Sequence, residues 1–194
     1  SVAYANGQHN DHVLEQDLQV SQLLAGSAWT SAAQQQWLYG IVNDAVTAAN
    51  TNDLYASIML AQAILESGWG TSRLALNPNN NLFGIKANGS RFANGSVNLP
   101  TTEYDENDRP YLTYADFNTY SNILNSFNDY VDKMVHGLPG ESSNRYSNVA
   151  RSIAGSYKDA ATNIQQDGYA TDPSYADLLV SVIEDYNLNV LDAN

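Results

Sequence analysis

Between Gln62 and Lys86 the chain reads QAILESGWGTSRLALNPNNNLFGIK, and this run restricts the possible folds more than any other. It opens as the last turns of a helix and halts at Ser67-Gly68, where a glycine at the C′ position lets the backbone turn away. The cluster Asn77-Pro78-Asn79-Asn80-Asn81 cannot continue a helix. From Leu82 to Phe117 the apolar period changes from helical to alternating, so a helical part gives way here to a small β-lobe. Upstream, Leu54, Ile58, Ala61 and Leu65 fall at i, i+4, i+7 and i+11 and make one apolar stripe, with Asp53 as the expected N-cap. Tyr55, Met59, Gln62 and Glu66 form the neighbouring stripe, about 100° round the helix.

Glu66 is thereby mounted on a rigid element at the lip of a cleft. The negative end of the helix dipole disfavours an anion there by roughly 0.3–1 kcal/mol. That field, together with partial burial against Trp69, raises a carboxyl pKa. A glutamate that keeps its proton near neutral pH is equipped for general acid catalysis. The plainer reading is a solvated surface glutamate, and helix position alone leaves both open.

The rest of the chain is punctuated in the same way. Residues 1–28 are polar; Leu14, Leu18 and Leu23-Leu24 pack as a short helix or wrap the domain. Trp37-Leu38, Ile41-Val42 and Ala45-Val46 predict a helix over about 31–49 with Thr30 as its cap. Asn88-Gly89 and Asn94-Gly95 are hairpin-turn signals, and Tyr111, Thr113, Ala115 and Phe117 alternate along one strand face. Ile123, Leu124, Phe127, Val131, Met134 and Val135 predict a helix capped by Ser121 and stopped at Gly137. Shorter helices are expected near 148–156 and 159–166. In the last helix Asp172 caps, Pro173 takes N1, and Tyr175, Leu178-Leu179, Val182-Ile183 and Tyr186 form the stripe.

The 194 residues suit one domain with a full core. There is no cysteine, which excludes disulfide and thiol chemistry. No apolar run approaches about 18 residues, so no membrane span is expected. The net charge of −13 argues against nucleic acid and against electrostatic capture by anionic polymers in general. The start at Ser1 suggests a processed protein or an excised domain. His9 and His12 make only a weak metal pair, and nucleophile-elbow, P-loop, dinucleotide and EF-hand patterns are absent. Neither metal nor cofactor is expected. Asn88-Gly89-Ser90 and Asn94-Gly95-Ser96 match the glycosylation sequon but read more simply as turns.

The block Gln62-Ala63-Ile64-Leu65-Glu66-Ser67-Gly68-Trp69-Gly70, then Ser72, Leu74-Ala75 and Asn80-Asn81-Leu82-Phe83-Gly84-Ile85-Lys86, resembles the signature of glycoside hydrolase family 73. These are bacterial endo-β-N-acetylglucosaminidases that cut peptidoglycan, including many autolysins. Gly168-Tyr169-Ala170-Thr171-Asp172-Pro173, followed by Tyr175, resembles the family's C-terminal motif, and the likeness spans roughly residues 30–187. It implies a lysozyme-like α+β fold, with a mostly helical body and a small antiparallel β-lobe at about 82–117 over the catalytic helix, in a catalytic domain of residues 29–194.

Glycoside cleavage usually needs a proton donor and a second group that stabilises or traps the sugar cation. The resemblance makes Glu66 the general acid. Thr101-Thr102-Glu103-Tyr104 resembles the lobe strand that carries the second acidic residue, so Glu103 would activate water or steady the cation; Asp105 to Asp108 look like the hairpin's polar turn. The sugar's own 2-acetamido group can also act as nucleophile. Tyr169 matches the motif tyrosine expected to contact the sugar. Gln62, Asn80, Asn81, Phe83 and Trp69 complete the expected substrate-contacting set, although Asn80, Asn81 and Phe83 can equally build the turn and Trp69 can be core. Ala87 stands where glycine is common, and Asn118 where a basic residue is common. The implied protein is a secreted, monomeric autolysin acting on peptidoglycan glycan strands in wall turnover or cell separation. The competing readings are a lytic transglycosylase and a non-catalytic glycan-binding module.

Overall fold

The computed structural model describes residues 31–193. These divide into two compact units, one of residues 31–61 with 145–193 and one of residues 62–144. The expectations for residues 1–28, including the His9–His12 pair, lie outside the described residues. Among the described residues no helix is long and apolar enough to cross a membrane. Among the described residues helices predominate and the only sheet has two antiparallel strands, the mixed α+β class expected.

In the first unit, α1 (Ala32–Thr51) is capped by Ser31, not Thr30: the Ser31 hydroxyl accepts the Gln34 N–H. Leu38, Ile41, Val42, Ala45 and Ala49 form its buried face. The next helix, α2 (Ala56–Ser67), does not begin at Asp53. Asp53 sits at φ 57°, and its carboxylate is taken by the backbone N–H and hydroxyl of Ser152. The cap comes instead from Asp192, whose carboxylate accepts the Ser57 N–H at 3.0 Å, the Ser57 hydroxyl and the Ala56 N–H. Arg151 donates to the Asp192 carbonyl and lays its guanidinium 5.0 Å from the Tyr55 ring centre. A cap from 135 residues away is invisible to local pattern. From Ala56 to Ile64 every residue of α2 is buried, Gln62 included, so the helix is enclosed on all sides rather than two-faced.

Burial raises the Asp192 pKa, opposed by the Ser57 hydrogen bonds and the charge of Arg151. Replacing this residue matters mainly through the donors left behind. Asp192→Ala is expected to cost about 2 kcal/mol, and Asp192→Asn, which keeps an acceptor oxygen, clearly less. Urea midpoints at unchanged m-value check the order; equal losses would show that charge, not acceptor geometry, holds the helix start.

The remainder of this unit is short helices. α3 (Arg151–Ala154) leads to α4 (Tyr157–Gln166), whose N-cap Ser156 accepts the Asp159 N–H at 3.1 Å. α5 (Tyr175–Asp185) buries Tyr175, Leu179 and Ile183, while Leu178 stays exposed. α5 starts two residues later than expected. Asp172 closes a turn, accepting the Ser174 N–H on its side chain and the Tyr175 N–H on its carbonyl. Gln165 then takes the N–H of Ala176.

In the second unit the sheet is a ribbon of β1 (Gly95–Tyr104) and β2 (Pro110–Thr119), in register from Gly95 opposite Thr119 to Tyr104 opposite Pro110. Its turn is Asp105–Arg109, organised by the Asp105 carboxylate, which accepts the N–H groups of Asn107 and Arg109. Neither expected hairpin signal joins two strands. Asn88-Gly89 does turn, with Asn88 accepting the Ser90 N–H, but only the isolated Lys86–Phe117 bridge precedes it. Gly95 forms the ribbon's first rung with Thr119, and just before it Asn94 donates its N–H to the Thr119 carbonyl at 2.9 Å and accepts the Thr119 hydroxyl on Oδ1 at 2.6 Å. α6 (Ile123–His136) is capped by Asn122, not Ser121: Asn122 accepts the Asn125 N–H at 2.9 Å. Gly137 at φ 79° ends it, as expected.

Candidate active site

The exit of α2 has the hydrogen bond of a Schellman motif, Trp69 N–H to the Ile64 carbonyl at 3.2 Å, with Gly68 at φ 56°. The buried Ser67 hydroxyl donates to the Ala63 carbonyl at 2.6 Å and accepts the Gly70 N–H at 2.9 Å. These bonds fix the backbone that carries Glu66. Its side chain lines a cleft of about 390 Å³, together with Ser72, Arg73, Leu74, Gly84, Lys86 and the ribbon residues Leu99, Pro100, Thr101 and Phe117. Gly84, at φ 66°, presents bare backbone to the acid: a Cβ there would lie 3.8 Å from Glu66 Oε2. Glu66 remains open to solvent on one side, yet the protein around its carboxyl raises its pKa by desolvation, partly opposed by the positive charge of Lys133. The field of Lys133 was not legible in the sequence, where a lysine in a last helical turn reads as a dipole partner.

The other expected site residues fall into three groups. Gln62, on α2, and Asn80, Asn81 and Phe83, in the loop after it, are all buried. Tyr130 donates its hydroxyl to Gln62 Oε1. Asn80 donates to the Tyr120 carbonyl at 2.9 Å. Asn81 donates to the carbonyls of Ile85 and Asn118 and accepts the N–H groups of Phe83 and Ile85. Phe83 stacks on Tyr130 with ring centres 4.5 Å apart. The contacts of Asn80, Asn81 and Phe83 are those of the turn-building reading, and Gln62 is held on α2 by Tyr130. Trp69 is half-buried at φ 59°.

Glu103 is placed differently. It shares the inner ribbon face with Leu99 and Thr101 but is not on the cleft wall; its Oε1 accepts from Lys86 Nζ at 2.9 Å, and Lys86 does line the cleft. Tyr169 belongs to the other unit, half-buried between Tyr146 and Tyr175, each with its ring centre 5.9 Å away.

The two departures from the family pattern have visible surroundings. Asn118 is buried and donates to Asn88 Oδ1 at 2.9 Å and Asp129 Oδ2 at 3.2 Å. Asp129 also accepts from Tyr120 and from Ser90 at 2.7 Å. An amide therefore ties the root of β2 to α6 where a cation is common. Burial and the hydrogen bond to Asp129 push the Tyr120 phenol far up. Ala87 donates its N–H to the Asp116 carbonyl at 2.8 Å.

A carboxyl held toward its protonated form at a cleft between a helix end and a β-ribbon is the arrangement of lysozyme-like glycoside hydrolases. The family model described as mannosyl-glycoprotein endo-β-N-acetylglucosaminidase matches residues 42–188. The chain belongs to this glucosaminidase family, glycoside hydrolase family 73. It is 43% identical over 160 residues to an N-acetylmuramoyl-L-alanine amidase domain-containing protein of Staphylococcus aureus, a match covering 81% of this chain and 25% of that protein. It is 41% identical over 136 residues to the exo-glucosaminidase LytG of Bacillus subtilis, covering 70% and 45%. The catalytic-domain crystal structure of the autolysin Auto from Listeria monocytogenes superposes with a TM-score of 0.73 at 38% identity, covering 92% of this chain and 97% of that one. The chain thus spans a quarter to under half the length of the two curated relatives.

Proposed function

We propose that this chain, from about residue 29 onward, is the catalytic domain of a secreted, monomeric endo-β-N-acetylglucosaminidase. It hydrolyses the β-1,4 bond after N-acetylglucosamine in peptidoglycan glycan strands, in wall turnover or cell separation. The observation that carries this reading is Glu66 on the cleft wall, with a raised pKa and glycine opposite. Glu66 protonates the leaving glycosidic oxygen; Glu103 activates water or steadies the sugar cation. Tyr169 contacts the sugar. Digestion of purified peptidoglycan, borohydride reduction and mass spectrometry test it. Reduced N-acetylglucosamine ends on long fragments support the reading, release of single terminal sugars points to exo-action, and no release to a binding module.

The Lys86–Glu103 ion pair favours a second reading. With Glu103 engaged by a lysine, Glu66 acts as the single acid, and the cation is captured within the substrate, as in a lytic transglycosylase. Anhydromuramic ends in the same digest would decide for it.

Two further expectations arise here. Lys133→Gln removes the charge that lowers the Glu66 pKa, so that pKa rises further and the alkaline limb of the pH–rate profile moves to higher pH. An unmoved limb would detach Glu66 from that limb. A chain of net charge −13 is repelled by an anionic wall, so activity on whole peptidoglycan should rise with moderate salt, whereas a short uncharged oligomer responds little. Equal salt dependence on the two substrates would show that net charge does not govern access.

A further inference from the structure

A second cleft, of about 660 Å³, shares Gly84 and Lys86 with the Glu66 cleft, and its size is that of a small-ligand site. Its charge sets it apart from the rest of the chain. Lys86, Arg91 and Lys133 line it, and Arg73 lines its neighbour. Four of the chain's eight Lys and Arg residues therefore border the two clefts. Among the described residues only three acids do so, namely Glu66, Asp129 and Asp132.

Lys86 is paired with Glu103 at 2.9 Å, but the acids lining this cleft leave Arg91 open to a ligand. Asp129 is buried and its oxygens already accept from Ser90, Asn118 and Tyr120. Asp132 lies 3.7 Å from Arg91 and 3.8 Å from His136, longer than a charge-assisted hydrogen bond. The Arg91 side chain is 75% exposed, so its planar fork can take an incoming carboxylate in two parallel hydrogen bonds at little cost to Asp132.

We propose that this second cleft binds a carboxylate of the peptide stem carried by a muramyl unit of the strand held at Glu66. The inference rests on the peptidoglycan reading above. The amino sugars of such a strand are uncharged once the lactyl group is joined to its peptide, and they have no use for a cluster of cations. The stem is the part of the same molecule that ends in carboxylates. Net repulsion governs approach over distance, while the local cations act within a Debye length of about 10 Å.

The test uses the Glu66→Gln protein, which binds without turnover, and soluble glycan oligomers in three forms: stems with free carboxylates, the same stems with those carboxylates amidated, and no stems. Calorimetric titration should give about fivefold or tighter binding of the free-carboxylate form over the amidated form. Adding Arg91→Gln should bring the two within about twofold. Equal binding of the acid and amidated stems, with the glycan still bound, overturns the inference and leaves the peptidoglycan reading intact. Equal binding of the two stems with competition by a glycerol phosphate oligomer would assign the cations to phosphate and likewise overturns it. Loss of binding to every glycan form overturns the peptidoglycan reading and the inference with it.

Discussion

Glu66→Gln is expected to lower turnover by roughly 10²–10⁴-fold, the range that general acid catalysis contributes, while thermal stability holds or rises slightly. The amide keeps the shape of the side chain and removes the transferable proton. The stability sign follows from the raised pKa. Desolvation lifts the folded-state pKa of Glu66 above its ordinary value, so ionising it opposes folding. That penalty sets in as pH rises from the ordinary glutamate range through the folded value. Glutamine never carries it. Residual activity above about a tenth of wild type would sink Glu66 as the acid.

Glu103→Gln should cost roughly 10²-fold in kcat, whereas Asp105→Asn, Glu106→Gln and Asp108→Asn at the exposed ribbon tip should each cost little. The contrast is geometric. Glu103 lies on the inner face, tied to a cleft-lining lysine, while Asp105 spends its carboxylate on the N–H groups of the turn. Equal losses across all four would mean that the ribbon acts through bulk charge. Loss of water-dependent product alone, with anhydro ends appearing, would separate water activation from proton donation.

Features encoded within a few residues were legible. Gly68 ending α2, Gly137 ending α6, the Asp105–Asp108 turn and the Tyr175–Leu179–Ile183 stripe all follow from local chemistry. Features set by distant partners were not. Asp192 caps α2 from the far end of the chain, which released Asp53 to bind Ser152. Asn88-Gly89 turns the chain, but beside it stands only the isolated Lys86–Phe117 bridge and no pair of strands for it to join. The site divides along the same line. Glu66 could be located because a helix end is a local event. Gln62, Asn80, Asn81 and Phe83 belong to the same motif, yet their side chains face inward to Tyr130, Tyr120, Asn118 and one another. A motif reports that residues are needed together; it does not separate those that meet a ligand from those that hold the loop.

Gly84 bears on how such a site tolerates mutation. A Cβ at this glycine would only touch the acid, at 3.8 Å, so what a replacement meets is chiefly the left-handed backbone at φ 66°, which strains most side-chain-bearing residues. Substitutions among the surrounding wall residues can reshape the cleft gradually. A single base change in one glycine codon would introduce a side chain at that spot. A change at Gly84 would thus reach Glu66 through the backbone, whereas changes in the wall residues would reach it through the shape of the cleft.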